Sequence, residues 1–311
     1  MQNEAAPAAG GSKYLAYARG YWQRVLPHCG EAGCAVARRL WRRARWWNAV
    51  IRLHGTCYCA PQCFENAMRQ CLTRISTASL PAACVRHRIP LGLLLLSRGQ
   101  LTSQQLRSAL EAQRESGRHR LGEWLGKLGY ATEQQVTAAL GVQWACPVLN
   151  AAVHPDLRTL RLLPFRWLEA FRMLPLQFVP STRMLYLAFS EGIDYPALCA
   201  VEQMLACRTE ACLISGSAMD QALEHSGRHH GPGDLLFEGW RDAAEMARIT
   251  CGYVLKLGAE EVRAVGCAGY VWVRLSAGRD VANLLFRGTT AVAELPPSSC
   301  EAHPVSCRSA G

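Results

Sequence analysis

The sequence lacks the hydrophobic segments of a membrane-spanning or secreted protein. None of its apolar runs approaches the roughly 20 residues that cross a bilayer, and the longest, LGLLLL at 91–96, is followed at once by Ser97 and Arg98. The N-terminal stretch MQNEAAPAAGGSKYLAYARG contains an acid, Glu4, and no short apolar core of the kind found in signal peptides. We therefore expect a cytoplasmic protein with no transmembrane segment.

The sequence also lacks the motifs of a nucleotide-hydrolysing motor. It has no Walker A loop, G-x-x-x-x-G-K-[ST], which cradles phosphates in P-loop enzymes. Its one Gly-Lys pair, Gly126–Lys127, is followed by Leu128 instead of Ser or Thr. Its histidines form no triad or paired-carboxylate pattern typical of an active site. We therefore predict that the protein is not an enzyme.

Acidic residues are scarce at the start of the chain. Residues 1–90 hold 13 Lys and Arg against three acids, so this segment carries the whole formal net charge of +10. Residues 35–53, AVARRLWRRARWWNAVIRL, combine arginines with tryptophans and apolar side chains. Such a basic amphipathic stretch suits an anionic membrane surface, a nucleic-acid backbone, or a helix whose solvated arginines cover a neighbouring site. The sequence leaves these three alternatives open.

The 15 cysteines do not indicate a secreted disulfide framework, because the chain has no export signal and most thiols should be reduced. Two pairs, Cys29-x4-Cys34 and Cys59-x3-Cys63, are separated by 24 residues. Paired thiolates bind tetrahedral structural zinc, which can fold a segment too small for its own core. We therefore predict a zinc site at these four cysteines. The alternatives are free thiols in a loosely ordered segment, or substitute ligands from His28, Cys57 and Cys71.

Composition divides the chain into five segments. Residues 1–20 and the tail, 289–311, are expected to be disordered. Residues 21–75 form a Cys/Arg/Trp-rich module with the predicted zinc site. Residues 85–227 hold a duplicated helical motif and a small α/β subdomain, and residues 235–288 predict one helix followed by three strands, an αβββ unit. The predicted fold class is therefore α+β.

One 24-residue pattern occurs twice in the third segment. Residues 90–113 read PLGLLLLSRGQLTSQQLRSALEAQ, and residues 120–143 read RLGEWLGKLGYATEQQVTAALGVQ. Each copy predicts a short helix that ends at a left-handed glycine, followed by a longer helix that begins with a Thr-x-x-Gln capping box. Two copies are too few for a solenoid. A pseudo-symmetric pair instead suits a ligand that is itself two-fold symmetric.

The start of each short helix has the chemistry of an anion contact. A Leu-Gly pair leaves backbone N–H groups open to an anion, because glycine has no side chain to block the approach. Arginine beside such a pair can bind phosphate or stack on a base. Only the second copy begins with arginine, Arg120, whereas the first begins with Pro90.

The pattern R-L-G, then G, then L-x-x-x-L-x-x-Q, written twice, resembles the N-terminal domain of type II secretion and type IV pilus assembly ATPases. The stretches 154–177 and 183–226 continue that resemblance beyond the repeat. It implies an adaptor of the secretion or pilus machinery, detached from its motor, and it places the protein in the cytoplasm or peripherally at the inner membrane. It also implies a ligand, since members of the family include cyclic di-GMP receptors in which both copies clamp the dinucleotide. The implied ligand-binding residues are Leu91, Gly92, Gln113, Arg120, Leu121, Gly122 and Gln143.

Pro90 departs from the family's pattern, in which this position holds an arginine. Proline has neither a cationic head nor an N–H donor. Loss of one charge-assisted phosphate contact is worth about 1.5–3 kcal/mol, or about one to two decades of affinity. Arg88, two residues upstream, is a possible substitute, and the plainer alternative is that the repeat only builds a helical surface for docking another protein.

The sequence thus predicts a non-enzymatic cytoplasmic adaptor or regulator related to secretion or pilus assembly, responsive to cyclic di-GMP through the repeat. The alternative from another class is a nucleic-acid-binding regulator that acts through the N-terminal zinc and arginine module.

Overall fold

The structure is a computed structural model, and it describes residues 28–34, 50–77, 88–117, 120–150, 155–229, 233–239 and 242–288. The predicted disordered ends, 1–20 and 289–311, and most of the basic stretch 35–53 lie outside the described residues.

The described residues form a mixed fold, and the predicted α+β class is confirmed. The helices are α1 (Pro61–Thr77), α2 (Leu91–Ser97), α3 (Ser103–Ser116), α4 (Leu121–Lys127), α5 (Glu133–Trp144), α6 (Leu157–Leu160), α7 (Phe165–Ala170), α8 (Tyr195–Leu205), α9 (Gly216–His229) and α10 (Ala243–Leu257). The strands are β1 (Ile51–Leu53), β2 (Thr56–Tyr58), β3 (Met173–Val179), β4 (Met184–Phe189), β5 (Arg208–Leu213), β6 (Asp234–Glu238), β7 (Glu261–Cys267), β8 (Tyr270–Ala277) and β9 (Asp280–Arg287).

The repeat forms four helices, α2 to α5, and its local sequence signals explain where they begin and end. Thr102 and Gln105 form a complete capping box: each side chain bonds the other's backbone, at 2.9 and 3.2 Å. The same box recurs at Thr132 at the start of α5. Gly99 and its counterpart Gly129 both have φ of +66°, a conformation that favours glycine because it has no Cβ.

The two copies of the repeat are packed across each other. The short helix α2 of the first copy packs on the long helix α5 of the second, and α4 of the second packs on α3 of the first. Side chains from both copies, including Leu95, Ala109, Leu125 and Ala139, are fully buried in one shared core. The pair is therefore one unit, in which neither copy has a core of its own.

The small α/β subdomain follows the repeat. In its three-stranded sheet, ordered β3-β4-β5, β4 is antiparallel to β3 and parallel to β5. Leu185, Leu187 and Phe189 alternate along β4 and are fully buried, as period-two burial of one sheet face requires. The subdomain is attached to the repeat through Glu133, the first residue of α5, whose carboxylate accepts hydrogen bonds from Ser217 N at 2.7 Å and Ser217 Oγ at 2.6 Å.

The N-terminal cysteine segment and the C-terminal segment share one sheet. Its strand order is β2-β1-β7-β8-β9-β6, with β1 parallel to β7 and β6 parallel to β9. Helices α1 and α10 pack against each other over this sheet, and their apolar side chains join its core. The sequence predicts separate units at 21–75 and 235–288, whereas the described residues of these two segments share a single core. The three predicted C-terminal strands are present, and β6 adds a strand before the predicted helix.

A partly polar seam joins this sheet to the α/β subdomain. Trp272 of β8 packs on Trp167 of α7 with ring centroids 4.8 Å apart, and its Nε1 donates to Asn283 Oδ1 at 3.0 Å. Asn283 Nδ2 in turn donates to Asp234 Oδ1 at 2.7 Å. Arg274 donates to the carbonyl of Leu162 at 2.7 Å, and burial lowers its pKa to about 10. The Trp272–Asn283–Asp234 bonds lie within the sheet, whereas the Trp167–Trp272 contact and the Arg274–Leu162 bond cross the seam and hold the two units together.

The glycine after the first leucine of each short helix has a packing role. A Cβ on Gly92 would lie 2.7 Å from Leu106 Cδ1, and a Cβ on Gly122 would lie 2.8 Å from Val136 Cγ1. Positions 106 and 136 are equivalent in the two copies, so the same close approach of short helix to long helix occurs twice. Gly126, also in α4, faces open space instead.

We predict that Gly122→Ala destabilises the protein by about 1–3 kcal/mol, because the added methyl group overpacks against the stiff Val136 side chain. The matched control, Gly126→Ala in the same helix, should instead stabilise by about 0.5–1 kcal/mol through backbone entropy. Urea denaturation of both variants measures this. Equal effects at the two positions would contradict the packing role.

Candidate ligand and metal sites

The structure brings the starts of the two short helices together. A Cβ on Gly122 would lie 3.7 Å from Leu91 Cδ2, so the first residues of α2 contact those of α4. Leu91 and Leu121 are partly buried and occupy equivalent positions in the two copies. Leu91 of the first copy and Gly122 of the second are therefore close neighbours, and the other implied residues Gly92, Arg120 and Leu121 adjoin them along the chain.

The two motif glutamines lie near the C-terminal ends of the long helices. Gln143 Nε2 donates to the carbonyl of Ile89 at 2.8 Å, which ties the end of α5 to the chain that enters α2. We call the paired starts of α2 and α4 the cradle. The Gln143 bond joins the second copy to the first, so Gln143 contributes to the structure of the cradle. Gln113 has the equivalent position in α3 and is partly buried.

Arg120 is the N-cap residue of α4, and its side chain is 67% exposed. Its Nε lies 3.3 Å from Glu191 Oε2, and its Nη1 donates to the Glu191 carbonyl at 2.9 Å. The other carboxylate oxygen of Glu191 lies 3.2 Å from Nε of Arg172, which also pairs with Asp220 at 2.6 Å. The motif arginine therefore belongs to a chain of ion pairs that runs into the α/β subdomain.

The first copy has a different arrangement at its entrance. Pro90 is the N-cap residue of α2 and makes no side-chain cap. The guanidinium carbon of Arg88 lies 3.4 Å from the centroid of the Trp144 ring, and 5.9 Å from that of Tyr195. Such stacking is a cation–π contact. The proposed substitute for the missing arginine is thus held against an indole ring.

Sequence reasoning did not identify Trp144 and Tyr195 as part of this region. Their ring centroids are 6.1 Å apart, and both rings are near Arg88. Trp144 directly follows Gln143, the last residue of the second motif. This adjacency is the sequence signal that could have placed it in the region. Tyr195 lies in a different subdomain, and no local pattern connects it with the repeat.

The four predicted metal ligands form one cluster. The sulfurs of Cys29, Cys34, Cys59 and Cys63 all lie within 4.8 Å of one another. Cys34 Sγ is 3.3 Å from Cys59 Sγ, which is 3.7 Å from Cys63 Sγ. The loop that carries the first pair is held to β2 by a hydrogen bond from Gly30 N to the Cys57 carbonyl, at 2.9 Å.

The geometry of this cluster fits a single tetrahedral ion. Zinc–sulfur bonds of about 2.3 Å place tetrahedral sulfurs about 3.8 Å apart. All four residues are free thiols, two of them buried. Burial raises the pKa of Cys63 to about 11 and raises the pKa of Cys59 further, so both are neutral thiols near pH 7 unless a cation binds. The cluster therefore has the donor set of a metal site.

The proposed substitute ligands lie elsewhere or outside the cluster. Cys71 Sγ is 3.8 Å from His54 Nε2, at a separate position on α1. Burial raises the pKa of the Cys71 thiol and lowers the pKa of His54. Cys57 and His28 are not members of the four-sulfur group.

Within the described residues, the helices include none that is long and apolar enough to cross a bilayer.

No protein-family model and no curated protein matches the sequence. Among solved structures, the chain is similar to MshE with cdg, at 29% identity over 45% of this chain and 99% of that chain, with a TM-score of 0.39. It is also similar to two crystal forms of the N-terminal domain of XpsE. One matches at 21% identity over 47% of this chain and 97% of that chain, with a TM-score of 0.34. The other matches at 23% identity over 47% and 98%, with a TM-score of 0.28.

The sequence-based resemblance and these neighbours agree.

Proposed function

We propose that the repeat binds cyclic di-GMP and that the chain is a non-enzymatic adaptor of secretion or pilus machinery. The observation that carries the proposal is the contact between the two short-helix starts, with the exposed Arg120 beside them. Cyclic di-GMP contains two identical halves, each with one phosphate and one guanine. A cradle built from two equivalent helix starts matches that symmetry, as the repeated motif implies.

The side chains at this cradle have suitable chemistry for such a ligand. The Arg120 guanidinium can bind a phosphate with two donors or stack on a guanine. Leu91 and Leu121 supply apolar surface, equivalent in the two copies, for the sugar or base. Because Gly92 and Gly122 are held close to the long helices, the leucines that precede them keep fixed positions.

The first copy binds more weakly in this proposal, because Pro90 supplies no charge. Arg88 is the arginine that leads into α2, and its planar group already lies on Trp144. A guanidinium stacked on an aromatic ring retains its charge and can still donate hydrogen bonds. We expect an affinity about one to two decades below that of a cradle with arginines in both copies.

The adaptor part of the proposal is supported by exposed apolar side chains next to the cradle. Ile89, Leu93 and Val142 are 59%, 53% and 50% exposed. The positions equivalent to 89 and 93 in the second copy hold His119 and Glu123. An apolar surface formed by Ile89 and Leu93 at the first short helix and by Val142 of the second copy is suited to docking of another protein, with cyclic di-GMP as the regulating ligand.

The alternative function, nucleic-acid binding, depends on the basic stretch 35–53, most of which lies outside the described residues. An electrophoretic shift of generic DNA, with affinity that falls steeply with salt, would favour it.

Calorimetric titration of the full chain with cyclic di-GMP tests the main proposal. We expect saturable binding that Arg120→Ala weakens by about 10- to 150-fold, since a hydrogen bond to a charged group is worth about 1.5–3 kcal/mol. Arg279→Ala removes an exposed arginine from the turn between β8 and β9 and should change nothing. GMP, which lacks the second half, should bind far more weakly. An absence of heat at high micromolar ligand would leave docking alone as the function.

We also propose that Cys29, Cys34, Cys59 and Cys63 hold one structural zinc ion. Four sulfur ligands with no open position are typical of structural zinc sites and not of catalytic ones. The ion would join the loop before β1 to the start of α1, and so stabilise the edge of the six-stranded sheet. This role requires no chemistry at the metal.

Metal analysis of the purified chain should find one zinc per molecule, and Cys59→Ser should lower that ratio and the melting temperature. Zinc at a thousand times its Kd stabilises the folded form by about 4 kcal/mol. The control is Cys199→Ser, which removes an exposed thiol from α8. Equal zinc content in wild type and Cys59→Ser would contradict the assignment of these ligands.

A further inference from the structure

We infer that Glu191 acts as an internal competitor for the ligand of the repeat, because its carboxylate binds the motif arginine where a phosphate would. This inference rests on the proposed function, since it concerns how the same cradle is regulated. Arg120 is the one motif cation of the repeat. Its Nε lies 3.3 Å from the Glu191 carboxylate, and its Nη1 donates to the Glu191 backbone carbonyl. A phosphate that binds this edge of the guanidinium must therefore displace the carboxylate from Nε.

Glu191 has a second partner that keeps it in place when Arg120 is taken. Arg172 lies 3.2 Å from its other oxygen and also contacts Ser190 Oγ at 3.3 Å and Asp220 at 2.6 Å. The carboxylate can thus release Arg120 without losing all its ion pairs. Both Arg120 and Glu191 are partly exposed, which limits their ion pair to less than about 1 kcal/mol. Because this ion pair is weak, a bound ligand can displace the Glu191 carboxylate from Arg120 reversibly.

The competing residue lies in the loop between β4 and α8 of the α/β subdomain, and this loop contacts the repeat. Next to it, Gly192 has φ of +134°, and a Cβ there would lie 2.5 Å from Cζ2 of Trp144. Two residues later, Asp194 caps α8 by accepting a hydrogen bond from Ala197 N at 2.8 Å. The loop is therefore held to the repeat both by the Arg120 ion pair and by the Trp144 contact. Ligand binding at Arg120 removes the first of these and changes how the subdomain is held.

The test is calorimetric titration of cyclic di-GMP into full-length wild type, Glu191→Gln and Glu191→Asp. Glu191→Gln should bind about three- to fivefold more tightly than wild type, the factor that follows from an exposed ion pair. Glu191→Asp keeps the charge on a shorter side chain, so its affinity should lie between those of wild type and Glu191→Gln. The matched control, Glu260→Gln, removes one exposed carboxylate from the C-terminal unit and should leave the affinity unchanged. Adding Arg120→Ala to Glu191→Gln should abolish the gain.

The outcomes separate this inference from the proposed function. If wild type binds cyclic di-GMP and Glu191→Gln binds it equally well or more weakly, the competitor role is overturned and the proposed function stands. Binding by Glu191→Gln alone, dependent on Arg120, supports the competitor role and contradicts the proposal that the wild-type chain binds the dinucleotide at micromolar concentration. If neither protein binds while both are folded by circular dichroism, the competitor role and the ligand are both wrong.

Discussion

The close approach of each short helix to the long helix of its own copy, at Gly92 and Gly122, is the constraint on which the repeat depends. Each short helix also packs on the long helix of the other copy, so the two helix starts are placed side by side. The Gln143 bond to Ile89 holds the same arrangement from the opposite end. The cradle is therefore a product of cross-packing, and neither copy can form it alone.

Two further sets of contacts connect this cradle, through the α/β subdomain, to the six-stranded sheet. Glu133 and the Arg120–Glu191–Arg172 chain attach the repeat to the α/β subdomain, and the Trp167–Trp272 contact attaches that subdomain to the six-stranded sheet. The cysteine cluster lies by the β2 edge of this sheet and the start of α1. Ligand binding and metal binding thus concern separate groups of residues.

The local features of the fold could be predicted from the sequence, and the long-range ones could not. Residue spacing predicts the capping boxes at Thr102 and Thr132, because a helix start places residues three apart in contact. Spacing likewise predicts the cluster of four cysteines, which come in two closely spaced pairs. The pairing of β1 with β7 joins strands about 200 residues apart, and three-residue strands carry too little periodicity to be recognised. The Glu191 and Trp144 contacts were missed for the same reason, since each depends on tertiary packing. Gly92 and Gly122 were predicted to admit an anion, and their packing role emerged only from the helix contacts.

The central claim is that both helix starts serve one ligand. Hydrogen exchange of backbone amides, measured with and without cyclic di-GMP, tests it most directly. The account predicts that residues 91–94 and 121–124 become protected together, with the same dependence on ligand concentration. Protection confined to one copy, or confined to other parts of the chain, would contradict a shared cradle.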